Sequence, residues 1–222
     1  MEQDVKLSGE GISGDGAVEA FKGRGDRREH ILDVATTIFL SEGYASASMS
    51  TIAARLGGSK GTLYNYFKSK EDLFSAYVAR NCELHREQVS DLLNEEGSAR
   101  VVLGNFARRY LRVVTAEKTL QNWRVITAES QKSPEIGRLF YESGPKRGAE
   151  LLAAYLDKAV ARGELRIDDT IMAAHQFTSL IHGRILKARL LNYLPVPSDA
   201  EIDREVDAAM RVFFAAYGVN AG

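Results

Sequence analysis

Cysteine is nearly absent from this sequence. Cys82 is the single one in 222 residues, which excludes an intramolecular disulfide framework and a zinc site built from several thiolates. It sits among polar residues with no basic partner indicated, and a lone thiol of this kind fits a reducing, cytoplasmic compartment. No apolar run approaches the roughly 20 residues that a bilayer span requires, so no membrane partner is expected. Met1 to Ala20 has neither the basic start nor the apolar middle of a signal peptide. Prolines are confined to positions 134, 145, 195 and 197, which leaves long stretches with nothing to interrupt a helix. Net charge is also low, and a value of −1 argues against a chain that coats nucleic acid along its whole surface. There is no Gly-rich phosphate loop, no His-Glu-x-x-His, no nucleophile motif and no acid pair at telling spacing. An enzyme is therefore not expected, nor a cofactor or a metal site.

What charge there is lies unevenly. Residues 21–80 hold nine Lys/Arg against six Asp/Glu, and the remainder holds twenty against twenty-four, a basic front on an acidic body. The first 22 residues carry repeated Gly and Ser with a surplus of acids and read as a disordered tail. Beyond them apolar residues recur at three and four, and strand-like alternation is scarce, so the chain is all-α. A first helix carries Ile31, Leu32, Ala35, Ile38 and Phe39 and stops at Gly43. Ser48 caps a second, Ser59 a third, and Ser69 with Asp72 opens a long fourth that reaches about Leu93. Three short helices and about six longer ones are expected. They include a long apolar helix from Ile171 to about Leu191 and a last one capped by Ser198 and Glu201.

Thr51 to Lys70 is the most telling stretch. Ile52, Ala53 and Leu56 sit at helical spacing, Gly57-Gly58 can end that helix, and Ser59 starts the next. Leu63 and Phe67 give the second helix one buried face, while Lys60, Thr62, Tyr64, Asn65 and Tyr66 supply donors, small groups and rings on the other. This is the pattern of a helix-turn-helix, which sets one helix in the DNA major groove.

From Ile52-Ala53 through Leu56-Gly57, Ser59-Lys60-Gly61-Thr62-Leu63-Tyr64 and Phe67 to Ser69-Lys70-Glu71, the sequence resembles the TetR family of bacterial transcriptional regulators. Phe39 and Gly43-Tyr44 stand where such proteins carry an aromatic and a Gly-aromatic pair. More weakly, Arg124-Val125-Ile126, Ala128-Glu129, Pro134-Glu135, Phe140 to Pro145 and Gly163-Glu164-Leu165 are similar to the C-terminal domain of the AefR-like and AcrR-like regulators. The resemblance implies a three-helix DNA-binding head, here residues 23–69, and a larger helical ligand-binding and dimerisation domain, residues 70–218. It implies a regulator, most simply a repressor relieved by an unknown small-molecule effector, that binds a palindromic double-stranded DNA operator as a homodimer. The alternative is a helical adaptor or a degenerate regulator without specific DNA binding. Two departures from the family pattern bear on this choice. Ala47 replaces a threonine, so a phosphate contact there passes to Ser48 or is lost, and Gly58 replaces a valine, which loosens the head.

By the same resemblance Lys60, Gly61, Thr62 and Tyr64 meet the groove, and Tyr66 and Lys70 hold phosphates, with Arg24, Arg27 and Arg28 adding further contacts. The dimer surface is expected on the last two helices, through Ile171, Ala174, Leu180, Ile181, Ile185 and Leu186 of one. Ile202, Val206, Met210, Phe213 and Phe214 are the matching apolar residues of the other. A ligand cavity would draw on Phe106, Tyr110, Trp123, Arg124 and Thr127, together with Tyr141, His175, Phe177 and His182. His175 and His182 share a helix face, but no third metal ligand accompanies them.

Overall fold

The computed structural model describes residues 14–219, with side chains described from residue 25 onward except that of Val89. These residues form eleven α-helices and no strand, apart from an isolated bridge between Leu165 and Gly218. Helices α1 (Gly14–Ser46), α2 (Met49–Arg55) and α3 (Lys60–Tyr64) make the head, and α4 (Lys70–Ser90) leads out of it. The body adds α5 (Ala99–Thr115), α6 (Glu117–Ser130) and α7 (Pro134–Tyr141). A π-helical turn (Glu142–Lys146) runs directly into α8 (Arg147–Ala161), which precedes α9 (Thr170–His182), α10 (Ile185–Leu190) and α11 (Asp199–Tyr217).

Helix α1 starts earlier than its apolar periodicity suggests. Residues 1–13 of the expected disordered tail lie outside the described residues, but 14–22 are helical, because nothing between Ala17 and Lys22 breaks a helix. At its other end the chain turns at Gly43, whose φ of 78° and ψ of 161° suit only glycine, and this break sends it into α2. The second and third helices join through a Schellman turn in which Gly58 N–H donates to Ala53 O at 3.2 Å and Gly57 N–H to Ala54 O at 3.1 Å.

The head core consists of Ile31, Leu32, Phe39, Ile52, Leu63 and Phe67 with Leu73, Phe74, Tyr77 and Val78 of α4. It continues to Ile126 of α6 and Ile136 of α7, so the packing does not stop at residue 69. A second core in the body joins α5, α8, α9, α10 and α11.

Two expectations about the last helices are corrected here. The long apolar helix from Ile171 is broken at Gly183, whose φ is 43° and where any Cβ would run into the Glu205 carboxylate. That carboxylate also accepts the Arg184 N–H at 3.2 Å, so the break is held from α11. The apolar faces expected to form a dimer surface are mostly internal. Ala174, Ile181, Ile185, Leu186, Ile202, Val206, Met210 and Phe213 are buried within this one chain, because α9, α10 and α11 pack on α5 and on one another.

The two glycines of the α2–α3 turn differ in a way that can be measured. Gly57 has φ 64° and needs its left-handed conformation, whereas Gly58 has no positive φ and only the tip of Arg27 lies near its missing Cβ, at 3.5 Å. Gly57→Ala is expected to destabilise by about 1 kcal/mol and Gly58→Ala to stabilise by about 0.5 kcal/mol. Thermal unfolding of the two variants should therefore move Tm in opposite directions, and a fall in both would show that Gly58 is not the loose point of the head.

Candidate functional sites

Three serines start the helices of the head and its exit. The Ser48 Oγ accepts from Thr51 N at 3.0 Å, Ser59 Oγ from Thr62 N at 3.2 Å and Ser69 Oγ from Asp72 N at 3.1 Å. The reciprocal bond expected of the Ser69 capping box goes one residue further back, from Lys68 N to Asp72 Oδ2 at 2.9 Å. Burial of Leu63 and Phe67 at 1% exposure each fixes the rotation of α3, and its outward side presents Lys60, Gly61, Tyr64 and Asn65. Thr62 is half-buried, its hydroxyl shared with Ser59 at 3.1 Å.

Other expected DNA contacts have structural work. Lys70 Nζ donates to the carbonyls of Tyr44 at 2.9 Å and Ala47 at 3.1 Å and lies 4.2 Å over the Tyr44 ring, so it clamps the α1–α2 turn rather than standing free for a phosphate. The Ser48 hydroxyl is engaged by its cap and by Thr51 Oγ1 at 2.9 Å, and Ala47 beside it is buried. Tyr66 packs partly against the head core. Arg28 lies 5.1 Å from the Phe67 ring centroid and pairs with Glu29 at 3.7 Å, while the side chain of Arg24 falls outside the described residues. The exposed set is thus narrower than the pattern of residue types implied.

In the body a cavity of about 250 Å³ opens between α4, α5, α6, α8, α9 and the π-helical turn. Phe106, Tyr110, Trp123, His175 and His182 line it. Arg124, Thr127, Tyr141 and Phe177 do not. The Arg124 guanidinium instead donates to Leu190 O at 3.0 Å and Arg189 O at 2.9 Å, closing the carbonyl end of α10, and pairs with Glu117 at 3.2 Å. Phe177 is fully buried behind Phe106, edge-on to Phe213 at 4.7 Å. Thr127 is exposed on α6, and Tyr141 is exposed because its neighbour Phe140 takes the inward position, edge-on to Trp123 at 5.6 Å.

The lining residues missed are spread over α4 to α9 and the π-helical turn, with the largest group on α4. Cys82, His85, Arg86 and Ser90 run along one stripe of α4 at spacings of three and four, a periodic polar line that the sequence displays but whose partner only the fold supplies. Gly144 faces Cys82, whose Sγ lies 3.1 Å from where a Cβ would stand, so a larger residue there would crowd the cavity wall.

The cavity is nearly uncharged. Among its lining residues there is no Asp, Glu or Lys, and the one formal charge, Arg86, is paired with Glu83. Burial pushes the His182 imidazole down to about 4 and the Tyr110 hydroxyl up, and these two share a hydrogen bond at 3.0 Å. His85 is also lowered, by burial first and then by Lys118, and its Nε2 meets Thr119 Oγ1 at 3.2 Å. Burial raises the Cys82 thiol to about 11 against the opposing pull of Arg86, leaving it a neutral wall atom. Among the described residues no three His, Cys, Asp or Glu side chains gather as a metal site.

The depressed His182 gives stability a defined pH dependence. Its folded value of about 4 lies below the ordinary histidine value of 6.5, so between these the unfolded chain binds the extra proton and stability falls as pH falls. Urea unfolding at pH 7 and pH 4.5 should show the wild type losing roughly 2 to 3 kcal/mol more than His182→Gln, from a shift of that size. Equal losses would mean that His182 is not held neutral by burial.

Known proteins share both halves of this arrangement. Residues 31–77 match the model described as bacterial regulatory proteins of the tetR family, and residues 101–219 match the AefR-like transcriptional repressor C-terminal domain. The HTH-type transcriptional regulator BetI of Cronobacter sakazakii is 29% identical over 171 residues, spanning 74% of this chain and 80% of that protein. A Mesorhizobium loti protein described as a TetR-family transcriptional regulator superposes with a TM-score of 0.81 at 31% identity, covering 89% of this chain and 98% of that one. The flavonoid-responsive regulator FrrA superposes with a TM-score of 0.77 at 34% identity, covering 89% of this chain and 100% of that one. With both of its parts matched and the helix-turn-helix geometry in place, the chain belongs to the TetR family of bacterial DNA-binding transcriptional regulators, which are not enzymes.

Proposed function

We propose that this regulator is a repressor that grips a palindromic operator as a dimer and lets go when a small molecule fills the body cavity. The observation that carries this reading is the double duty of α4. Its first half supplies Leu73, Phe74, Tyr77 and Val78 to the head core, and its second half supplies Cys82, His85, Arg86 and Ser90 to the cavity wall. A ligand that favours a different position of this wall acts on the head through one continuous helix, and coupling of that kind is reciprocal between ligand and DNA. The repressor sign is supported by the description of the matched C-terminal domain, and an effector by the description of FrrA as responsive to flavonoids. The head, residues 23–69, would read DNA and the rest, 70–218, would sense and dimerise.

One head covers a half-site, and a palindrome calls for two recognition helices about 34 to 36 Å apart. The apolar residues left outside the core offer the seam. Ile171 and Met172 on α9 and Val212 on the neighbouring α11 are about half exposed, at 44%, 52% and 54%. The contact set proposed for DNA is Lys60, Gly61, Thr62, Tyr64 and Asn65, with the α4 clamp Lys70 acting by holding the head in shape.

Fluorescence anisotropy with a duplex from upstream of the protein's own gene, against a scrambled duplex at 50 and 200 mM salt, tests the reading directly. Lys60→Ala and Tyr64→Ala should each weaken operator binding by about 1 to 3 kcal/mol, whereas Lys70→Met should lower Tm. Indistinguishable affinity for the two duplexes, repeated with an operator selected in vitro, would sink the proposal. For the seam, sedimentation of Val212→Glu is expected to yield the 24.5 kDa monomer and the wild type twice that mass. A wild type sedimenting as a monomer at micromolar concentration would remove the dimer.

A further inference from the structure

The chemistry of the cavity wall narrows the effector, and the argument rests on the ligand-sensing role proposed above. At about 250 Å³ the space lies just below the usual 300 to 1,000 Å³ of small-molecule sites, so it suits a compact molecule. Its walls are rings and branched aliphatics. Phe106 stacks nearly parallel on Tyr110 at 5.6 Å, Trp123 stands edge-on to Phe140, and Val113 and Val114 add aliphatic surface. Such walls favour a flat apolar body.

Polarity enters at two places. His85 and Thr119 join α4 to α6, and Tyr110 and His182 join α5 to α9, each as a hydroxyl bonded to an imidazole Nε2. A neutral imidazole is a donor at one nitrogen and an acceptor at the other, and the hydroxyl turns to suit, so either pair can receive or give a hydrogen bond to a third group. Charge is missing from the same walls. No carboxylate or ammonium lines the space, and Arg86 has its counterion in Glu83. A charged ligand would lose its hydration and find no free partner, which is costly in an apolar site.

We infer that the cavity takes an uncharged, flat aromatic molecule carrying two separate hydroxyl-type groups, of which a diphenol is the simplest example. The two hydroxyl–imidazole pairs anchor the polar groups, and the rings sandwich the body. Each pair already ties two helices together, so a ligand hydroxyl that enters it competes for or bridges a contact between α4 and α6, or between α5 and α9. The first of these touches the helix that leads to the head.

Trp123 is the only tryptophan and lines the cavity, which makes its fluorescence a built-in reporter. The full-length protein is titrated with three matched probes: 4,4′-dihydroxybiphenyl, biphenyl, and biphenyl-4,4′-dicarboxylate. The diphenol should bind about tenfold or more tighter than biphenyl, and the dicarboxylate at least about a hundredfold more weakly than the diphenol. His85→Phe and His182→Phe should each reduce diphenol affinity by about tenfold while leaving biphenyl within about twofold, which also checks that the cavity survives the change. Tightest binding by the dicarboxylate, no advantage of the diphenol over biphenyl, or equal losses for both probes in the histidine variants would each overturn the inference. If biphenyl or the dicarboxylate binds instead and releases operator DNA, the ligand-relieved reading stands and only the assigned chemistry falls. If none of the three quenches Trp123, the assigned chemistry falls, while the regulator reading is decided separately by its operator-binding test.

Discussion

Everything in this molecule depends on one helix being anchored at both ends. The aromatic cluster of Phe39, Tyr44, Phe74 and Tyr77 holds the first half of α4 in the head, with Phe39 edge-on to Phe74 at 5.0 Å and Tyr44 against Phe74 at 4.5 Å. Rings packed at these distances have few alternative arrangements, so α4 and the head move as one piece. At Tyr77 the apolar contact becomes a polar one. Its hydroxyl donates to Asn122 Oδ1 of α6, and Asn122 Nδ2 donates in turn to Asn81 Oδ1 at 3.3 Å. This buried network ties the helix to the body just before it reaches the cavity, and its donors and acceptors satisfy one another within the protein.

The body also ties down two of its arginines, which are structural in space, although the Arg189 Nε and the Tyr155 hydroxyl are buried without a hydrogen-bond partner among the described residues. Arg189 is nearly fully buried, pairs with Glu117 at 3.0 Å and donates to Leu194 O at 3.0 Å. Arg124 shares Glu117 and closes the carbonyl end of α10. Buried cations are tolerated only with partners, and here the partners are helix ends and a carboxylate of the chain itself. The cavity consequently keeps no unpaired charge. Its wall is left to aromatic rings and neutral hydroxyl–imidazole pairs.

Much of the head was legible from residue order. Ser48, Ser59 and Ser69 cap where their spacing to the following turn said they would, Gly43 and Gly57 take conformations that residues with a Cβ avoid, and Leu63 and Phe67 are buried together. Each depends on interactions within about four residues, so local chemistry suffices. The body was less legible, because its decisive contacts join helices far apart in the chain. Gly183 breaks α9 against Glu205, and Phe140 rather than Tyr141 turns inward, outcomes that periodicity along a single helix does not distinguish.

The sequence by itself determined that the chain is helical, that a helix-turn-helix opens it and that no disulfide framework supports it. Capping, glycine conformation and apolar spacing are properties of neighbouring residues. Only the tertiary structure decided which polar side chains are free. Lys70 and Arg124 carry the chemistry of contact residues, yet backbone carbonyls 23 to 26 residues away for Lys70 and 65 to 66 away for Arg124 already engage them. Conversely Cys82, His85 and Thr119 look ordinary until α4 and α6 come together around a cavity. A side chain's chemistry is set by its type, but its availability is set by whatever the fold brings within hydrogen-bonding reach.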